Sequence, residues 1–259
     1  MMTAFENIGS ELGMPRVSIL PPLAPGAAMR WEAASTMLPG AGASILEIGC
    51  GRGAFAARMA ARGAHVTALE PDKTSFMIAR RLEGPSLEVR NIGVEAFPEL
   101  PRFDCVCAFE VIEHIEDDAA ALKKWGERIK AGGQIVISAP AYRHRYGAWD
   151  EMVGHYRRYD AQDLRCLLEE SGMKDVEITH YGFPVGPLLE HLRNRIAKRR
   201  LAEVDDEVFE KRTASSGRIL QPEGPLGGLM KLVNPVLCEL SKRFPDRGVG
   251  LLARARVPR

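Results

Sequence analysis

Three side chains able to do chemistry lie within the stretch Glu110-Val111-Ile112-Glu113-His114. Wound as a helix, positions i, i+3 and i+4 share one face, so Glu110, Glu113 and His114 would converge. Two carboxylates and an imidazole can hold a divalent metal, supply a general base, or hydrogen-bond the surrounding loops. The residues alone leave these three roles open. A second segment is Glu47-Ile48-Gly49-Cys50-Gly51-Arg52-Gly53. Its glycines let the backbone bend and let a ligand come close, while Glu47 offers a carboxylate to a cation.

The elements that must position these groups follow from residue 44 onward, where short β-branched or apolar runs alternate with helical stretches. That rhythm predicts strands at 44–48, 65–69, 86–90, 103–109, 134–139 and 176–181, and helices at 54–62, 73–82, 117–130 and 160–171. Gly132-Gly133 is expected to cap the third of these helices. A strand-like pattern resumes at 248–257. The fold expected is α/β, a doubly wound and mostly parallel Rossmann-like sheet of about seven strands with a helical insertion before the last one. Residues 1–40 read as an N-terminal extension with a short helix near 29–38 over the mouth of the site, 41–182 as the core, 183–246 as a helical lid and 247–259 as the final strand. The glycine turn then joins a strand to a helix. The Glu110–His114 segment follows the fourth strand, at the carboxyl edge where open α/β sheets place ligands.

Gly49, Gly51 and Ala54, with Glu70 ending the second strand, satisfy the dinucleotide pattern G-x-G-x-x-A. Glu47 points elsewhere, because a carboxylate beside a pyrophosphate has no use whereas one beside an ammonium does. Here the chain resembles the class I S-adenosylmethionine-dependent methyltransferases, whose first motif is E/D-x-G-x-G-x-G with an acidic residue closing the second strand. The resemblance implies contacts to the methionine portion of the cofactor from Glu47, Gly49, Gly51 and Gly53, and ribose hydroxyls held by Glu70. It places adenine against 91–95, with Val94 giving a backbone contact and an apolar face. Asn91 and Glu95 both remain open as acceptors of the adenine amine, each with a plain structural alternative. The likeness continues through Phe103-Asp104-Cys105-Val106, Lys130-Ala131-Gly132-Gly133 and Gly172, strongly over about 45–181 and weakly in the final strand.

The E-x-x-E-H segment is similar to those of ubiquinone-pathway O-methyltransferases and of the enzymes that methylate the 3′-terminal ribose of small RNAs, where a divalent metal orients the accepting hydroxyl. That likeness implies a metal set of Glu110, Glu113, His114 and, from Gly154-His155-Tyr156-Arg157-Arg158-Tyr159, His155. Mg, Mn or Zn would suit it. Glu110, Glu113 and His114 are equally the candidate catalytic residues if His114 acts as base. In either role activity should fall as pH drops through the histidine range, near ~6.5 for an unperturbed ring. His144 reads as an exposed loop histidine. Trp149, Tyr156 and Tyr159 either wall an acceptor pocket or pack a loop, and Arg157 and Arg158 either meet a substrate anion or pair with Asp160 and Glu151.

Composition narrows the partners. Lys plus Arg number 35 against 34 Asp plus Glu, so no global field draws nucleic acid or anionic lipid. Five cysteines without a C-x-x-C pair speak against a disulfide framework or zinc knuckle and fit a reducing cytoplasm. Prolines at 15, 21, 22 and 25 interrupt any leader-like run, and no stretch reaches the ~18 apolar residues of a membrane span. Leu188, Leu192, Ile196 and Leu201 recur near helical spacing beside Arg193, Arg195, Lys198, Arg199 and Arg200, which makes an amphipathic basic helix suited to a lid or to peripheral lipid contact. Residues 203–210 then restore acidity. The reading is methyl transfer from S-adenosylmethionine to an oxygen of a small or lipid-like metabolite. Its rivals are an NAD-dependent oxidoreductase and a cofactor-binding scaffold without chemistry.

Overall fold

The structure is a computed structural model that describes residues 20–98, 102–202 and 225–259. The first 19 residues of the extension and the acidic run 203–210 lie outside the described residues. The order is α1 (Pro25–Met37), β1 (Ser44–Ile48), α2 (Ala54–Ala61), β2 (His65–Leu69), α3 (Lys73–Ala79), β3 (Leu87–Arg90), β4 (Phe103–Phe109), α4 (Asp118–Glu127) and β5 (Ile129–Pro140). There follow α5 (Ala148–Val153), α6 (Ala161–Glu170), β6 (Lys174–Gly182), α7 (Val185–Ala202), α8 (Pro225–Lys242) and β7 (Gly248–Arg256).

The seven strands form one sheet in the order β3-β2-β1-β4-β5-β7-β6. β1 pairs in parallel with β2 and β4, as β2 does with β3 and β4 with β5, while β7 runs antiparallel to both β5 and β6. The strand order reverses at β1 and β4, which opens a crevice above their carboxyl ends. Alternation along the strands supplies a core on each face. Ile45, Cys105, Cys107 and Val136 join one cluster with α1 and α2, and Leu46, Ile48, Val106, Ala108, Ile135 and Ile137 join the other with α4 and α6.

The helices α3 and α4 carry side-chain caps at their first turns. Asp72 accepts from the Ser75 N–H at 2.8 Å ahead of α3, and Asp117 from Ala120 at 2.9 Å ahead of α4. Each such cap is worth about 1 kcal/mol. One expectation is corrected here: α4 stops at Glu127, and Gly132-Gly133 lies inside β5 instead of capping a helix. Ile129 is buried and pairs with Phe103, drawing the chain into the sheet at once. A Cβ on Gly133 would sit 2.8 Å from the Asp104 carbonyl oxygen, so glycine permits that close approach.

The two helices before β7 pack on different neighbours. α7 lies along α5, and α8 lies along α1, so the insertion and the amino-terminal helix meet around the carboxyl side of the sheet. Asn194 of α7 accepts from the Trp149 N–H at 2.9 Å, capping the start of α5.

Candidate functional site

Glu47 occupies the middle of the crevice, on β1 between Ala68 of β2 and Cys107 of β4. It is 2% exposed, and its Oε2 has no hydrogen-bond partner. Burial, reinforced by the nearby Glu70 charge, pushes its carboxyl up to about 8. An orphaned, buried carboxylate oxygen is costly unless a ligand cation completes it, so the residue fits the ammonium of a methionine portion.

Beyond it Gly49, Gly51 and Gly53 have φ of +69°, +56° and +76°, a region other residues avoid. A Cβ on Gly49 would meet Val111 Cγ2 at 2.7 Å and one on Gly53 would meet Ala79 Cβ at 3.0 Å, whereas Gly51 faces nothing within 4 Å. Gly51 thus bends the chain beneath open space. Its N–H donates to Glu70 Oε2 at 2.7 Å, and the Asp72 N–H donates to Glu70 Oε1 at 2.8 Å, so the Glu70 carboxylate is fastened over the glycine loop. The Asn91 amide donates to the carbonyls of Glu70 and Pro71 and fixes the turn after β2. Val94 is buried in the loop after β3.

The Glu110–His114 segment departs from the expected single helical face. Only Ile112–His114 form a turn of 3-10 helix, and Glu110 sits before it with φ +56°. That backbone sends the Glu110 side chain to other partners. Its Oε1 accepts from Ser138 Oγ and from the Tyr181 hydroxyl, both at 2.9 Å, and its Oε2 pairs with Arg30 of α1 at 3.1 Å. Burial opposes its ionisation, yet Arg30 and the two hydroxyl donors hold its carboxyl below the ordinary range. Arg30 Nε also donates to the Tyr181 oxygen at 2.8 Å, which closes the network.

Glu113, His114 and His155 do come together, with ligand atoms all within 4.8 Å of one another. Glu113 is fully buried and both of its carboxylate oxygens lack hydrogen-bond partners. Burial and then the Glu110 charge raise its carboxyl well above the usual range. His155 Nδ1 lies 2.8 Å from Asp150 Oδ1, so it is the protonated nitrogen and leaves Nε2 as an acceptor, 3.8 Å from Glu113 Oε1. His114 Nδ1 lies 3.3 Å from the Gly154 carbonyl oxygen, which assigns the same tautomer. The two rings meet edge to face at 4.6 Å. Burial, helped by His155, lowers the His114 ring to about 4, so a pH dependence near 6.5 is not expected from it.

The loop 154–159 is tied to this cluster by the Tyr156 N–H, which donates to the Glu113 carbonyl at 2.8 Å. Its arginines serve the protein itself. Arg158 binds both oxygens of Asp150 and also Glu190, and Arg157 pairs with Asp118 at 2.8 Å and donates to the Glu116 carbonyl. The partners are neither Asp160 nor Glu151. Tyr159 is buried with its hydroxyl on Asp118, while His144 and Tyr156 are exposed.

Residues 29–178, more than half of the chain, match the family model described as a methyltransferase domain. The chain belongs to the class I S-adenosylmethionine-dependent methyltransferases. This methyltransferase is 40% identical over 103 residues to the ubiquinone biosynthesis O-methyltransferase of Alkalilimnicola ehrlichii, a match spanning 38% of the chain and 41% of that protein. A second such enzyme, from Azotobacter vinelandii, is 39% identical over 103 residues, or 38% of the chain and 44% of the relative. Among solved structures, the phosphoethanolamine N-methyltransferase 2 of Haemonchus contortus with S-adenosylmethionine bound superposes with a TM-score of 0.58 at 17% identity, over 92% of this chain and 54% of that one. Likeness at that identity speaks for the fold alone. The family assignment leaves the oxidoreductase reading without support.

Sequence reasoning missed Arg30, Ser138, Tyr181 and Asp150, which contact the candidate site residues Glu110 and His155. Arg30 stands in the short helix expected near 29–38 over the mouth of the site, where no side chain was singled out, and Asp150 in a short helix with no catalytic pattern. The one available signal was the pairing of Asp150 with His155 five residues on, within loop sequence rich in arginine and aromatics.

Proposed function

We propose that this chain transfers a methyl group from S-adenosylmethionine to a hydroxyl oxygen of a small or lipid-like acceptor, with Glu113, His114 and His155 on the acceptor side. The observation that carries this reading is the pairing of a fully buried, unpartnered carboxylate with two imidazoles whose Nε2 atoms are left as acceptors. Such a donor set suits a divalent ion, and two imidazoles favour Mn or Zn over Mg. When bound, an ion at these residues would orient an acceptor hydroxyl and ease the loss of its proton. Glu110 is not in the set, since Arg30, Ser138 and Tyr181 occupy its oxygens.

On the donor side Glu47 would take the ammonium, Glu70 the ribose hydroxyls, Gly51 the close backbone approach and Val94 the adenine face. The chemistry supplied by S-adenosylmethionine is a methyl group made electrophilic by positive sulfur. The protein's part is alignment and proton management. The acceptor O–C bond forms as the S–C bond breaks, and the hydroxyl proton must leave toward the Glu113 cluster. His114 as sole base is the weaker alternative, because a ring lowered to about 4 has little drive to take a hydroxyl proton near neutral pH.

The described helices of the insertion, α7 and α8, then act as a lid, with α7 resting on α5 beside the acceptor side. Leu188, Leu192 and Ile196 are 70%, 54% and 42% exposed along α7, bordered by Arg195, Lys198 and Arg199, which supports a lipid-like acceptor met at a membrane surface. Among the described residues, no helix is long and apolar enough to cross a membrane.

The test is radiolabelled methyl transfer to catechol-type acceptors after exhaustive chelation. Activity lost to EDTA and restored by Mn or Zn, with parallel losses in Glu113→Gln and His155→Ala, is expected. Activity indifferent to chelation would overturn the metal, and absence of S-adenosylhomocysteine binding would overturn the whole reading.

A further inference from the structure

Around the acceptor side nearly every charge is spoken for. Glu110 is paired with Arg30, Asp150 with Arg158, and Glu190 with Arg158 and Arg145. Arg157 is held by Asp118. Arg193 of α7 is different. Its guanidinium stacks over the Trp149 ring, 5.4 Å from the centroid, and no hydrogen bond or ion pair joins it to another described residue. Its Nε is buried without a partner. The carboxylates whose charge reaches it, Glu110 and Glu190, already have arginine partners, and Arg30 and Tyr181 are its other polar neighbours.

A half-buried guanidinium without an anion is an unfavourable arrangement in a finished binding site, because desolvation is not offset by a partner. Here burial indeed works against its charged form. The helix holds it there deliberately: Asn194, the next residue, is fixed to the Trp149 N–H, and Ala197 one turn on is fully buried against Ala148, Met152 and Val153. The arginine is therefore held on α7 within electrostatic reach of Tyr181 and of Glu110, whose charge also reaches Glu113, and no described residue pairs with its fork.

We propose that Arg193 reads an anionic group, a carboxylate or a phosphate, on the methyl acceptor, and so selects which hydroxyl compounds this enzyme accepts. The inference rests on the assignment of the Glu113 cluster as the acceptor side. It gives the insertion a second purpose, since the lid then carries a specificity residue and not only a cover. A guanidinium fork matches the two oxygens of a carboxylate or phosphate in a way that a point charge does not. Trp149, over whose ring the guanidinium stacks, fixes the plane in which that fork is offered.

The experiment is calorimetric titration of the full chain, loaded with S-adenosylhomocysteine and Mn, with three probes: protocatechuate, phenyl phosphate and neutral catechol. The wild type is expected to bind at least one of the two anions about tenfold more tightly than catechol, and the better of the two identifies the anion class. Arg193→Gln should erase that preference while leaving catechol binding and S-adenosylhomocysteine binding unchanged. Arg193→Lys should keep part of it. Should the glutamine variant fail to bind S-adenosylhomocysteine, the lysine variant carries the test, with a partial loss of anion preference expected and none overturning the idea. A wild type without preference for either anion, or an Arg193→Gln protein that retains it, would also overturn it. Because binding is read and not turnover, a failure here is distinguishable from a failure of the methyl-transfer reading, which shows as lost S-adenosylhomocysteine affinity.

Discussion

His155 and Asp150 form a carboxylate–imidazole pair at 2.8 Å, both nearly inaccessible to water, with the far nitrogen of the ring turned to Glu113. Arg158 clamps Asp150 from the other side and ties it through Glu190 to α7. An orienting carboxylate of this kind sets the tautomer of a metal-binding histidine and typically contributes 10–100-fold in affinity. Asp150→Asn should accordingly weaken Mn or Zn binding to the Glu113 cluster by roughly 10–100-fold. Competition against a chromogenic chelator measures this. Ion affinity equal to that of the wild type would remove Asp150 from the site's positioning residues.

Glu47 yields a prediction about pH. Its carboxyl, raised to about 8 by burial and by Glu70, holds a proton at neutral pH in the ligand-free protein. A ligand ammonium needs the ionised form, so S-adenosylhomocysteine affinity should climb by more than about tenfold between roughly pH 6 and pH 8, with proton release on binding. The raised value has the opposite effect on the unliganded fold. There the folded state holds a proton that the unfolded chain gives up, and this stability, present at low pH, is lost as pH rises toward about 8. Glu47→Gln should bind more weakly and without pH dependence. Calorimetry in buffers of different ionisation enthalpy reads both, and a flat wild-type profile would refute the assignment.

The donor half proposed for this site is local in sequence: Glu47 lies near the end of β1, just ahead of the three-glycine turn, and Glu70 follows the next strand. Backbone geometry demands glycine there, and geometry leaves its mark in residue type. The acceptor half was legible only in part. Glu113 and His114 stand out by spacing, but the i, i+3, i+4 rule assumes a regular helix, and the left-handed Glu110 breaks it. Arg30 pairs with Glu110, and Arg193 comes within its electrostatic reach, from helices 80 or more residues away in sequence, through packing that no local pattern encodes. The fold followed from alternation, apart from the glycine pair in β5, where a turn signal gave way to pairing of Ile129 with Phe103.

Two glycines of one loop should fail in different ways. Gly49→Ala places a methyl 2.7 Å from Val111 Cγ2 at positive φ, so strain of about 1–2 kcal/mol is joined by an overpacking cost of about 1–3 kcal/mol. Gly51→Ala carries only the strain, since nothing lies within 4 Å, but its methyl would project into the space above the loop. Thermal melts should show the larger loss for Gly49→Ala, and S-adenosylhomocysteine titration the larger loss for Gly51→Ala. Val111→Ala should partly rescue Gly49→Ala and do nothing for Gly51→Ala. Equal behaviour of the two would mean that the space over Gly51 is not where a ligand approaches.

The Arg30–Glu110 pair is the link between the amino-terminal helix and the sheet edge. Arg30 spans 80 positions to bind a carboxylate that also accepts from Ser138 and Tyr181, and its own Nε reaches the Tyr181 oxygen. Removing the cation alone leaves a carboxylate with two hydroxyl donors, and removing the carboxylate alone leaves an arginine with one acceptor. Each single change should therefore cost about 1–3 kcal/mol, the range for stranding one partner of a charged hydrogen bond. Arg30→Met together with Glu110→Gln should cost clearly less than the sum, because no charge is then stranded. The double-mutant cycle on denaturant unfolding reads this coupling directly. Glu110→Gln should leave Mn or Zn affinity close to wild type, since its oxygens are engaged by Arg30, Ser138 and Tyr181, whereas Glu113→Gln should abolish it. Additive single effects would mean that the salt bridge contributes nothing beyond its parts, and loss of ion binding in Glu110→Gln would restore that residue to the ligand set.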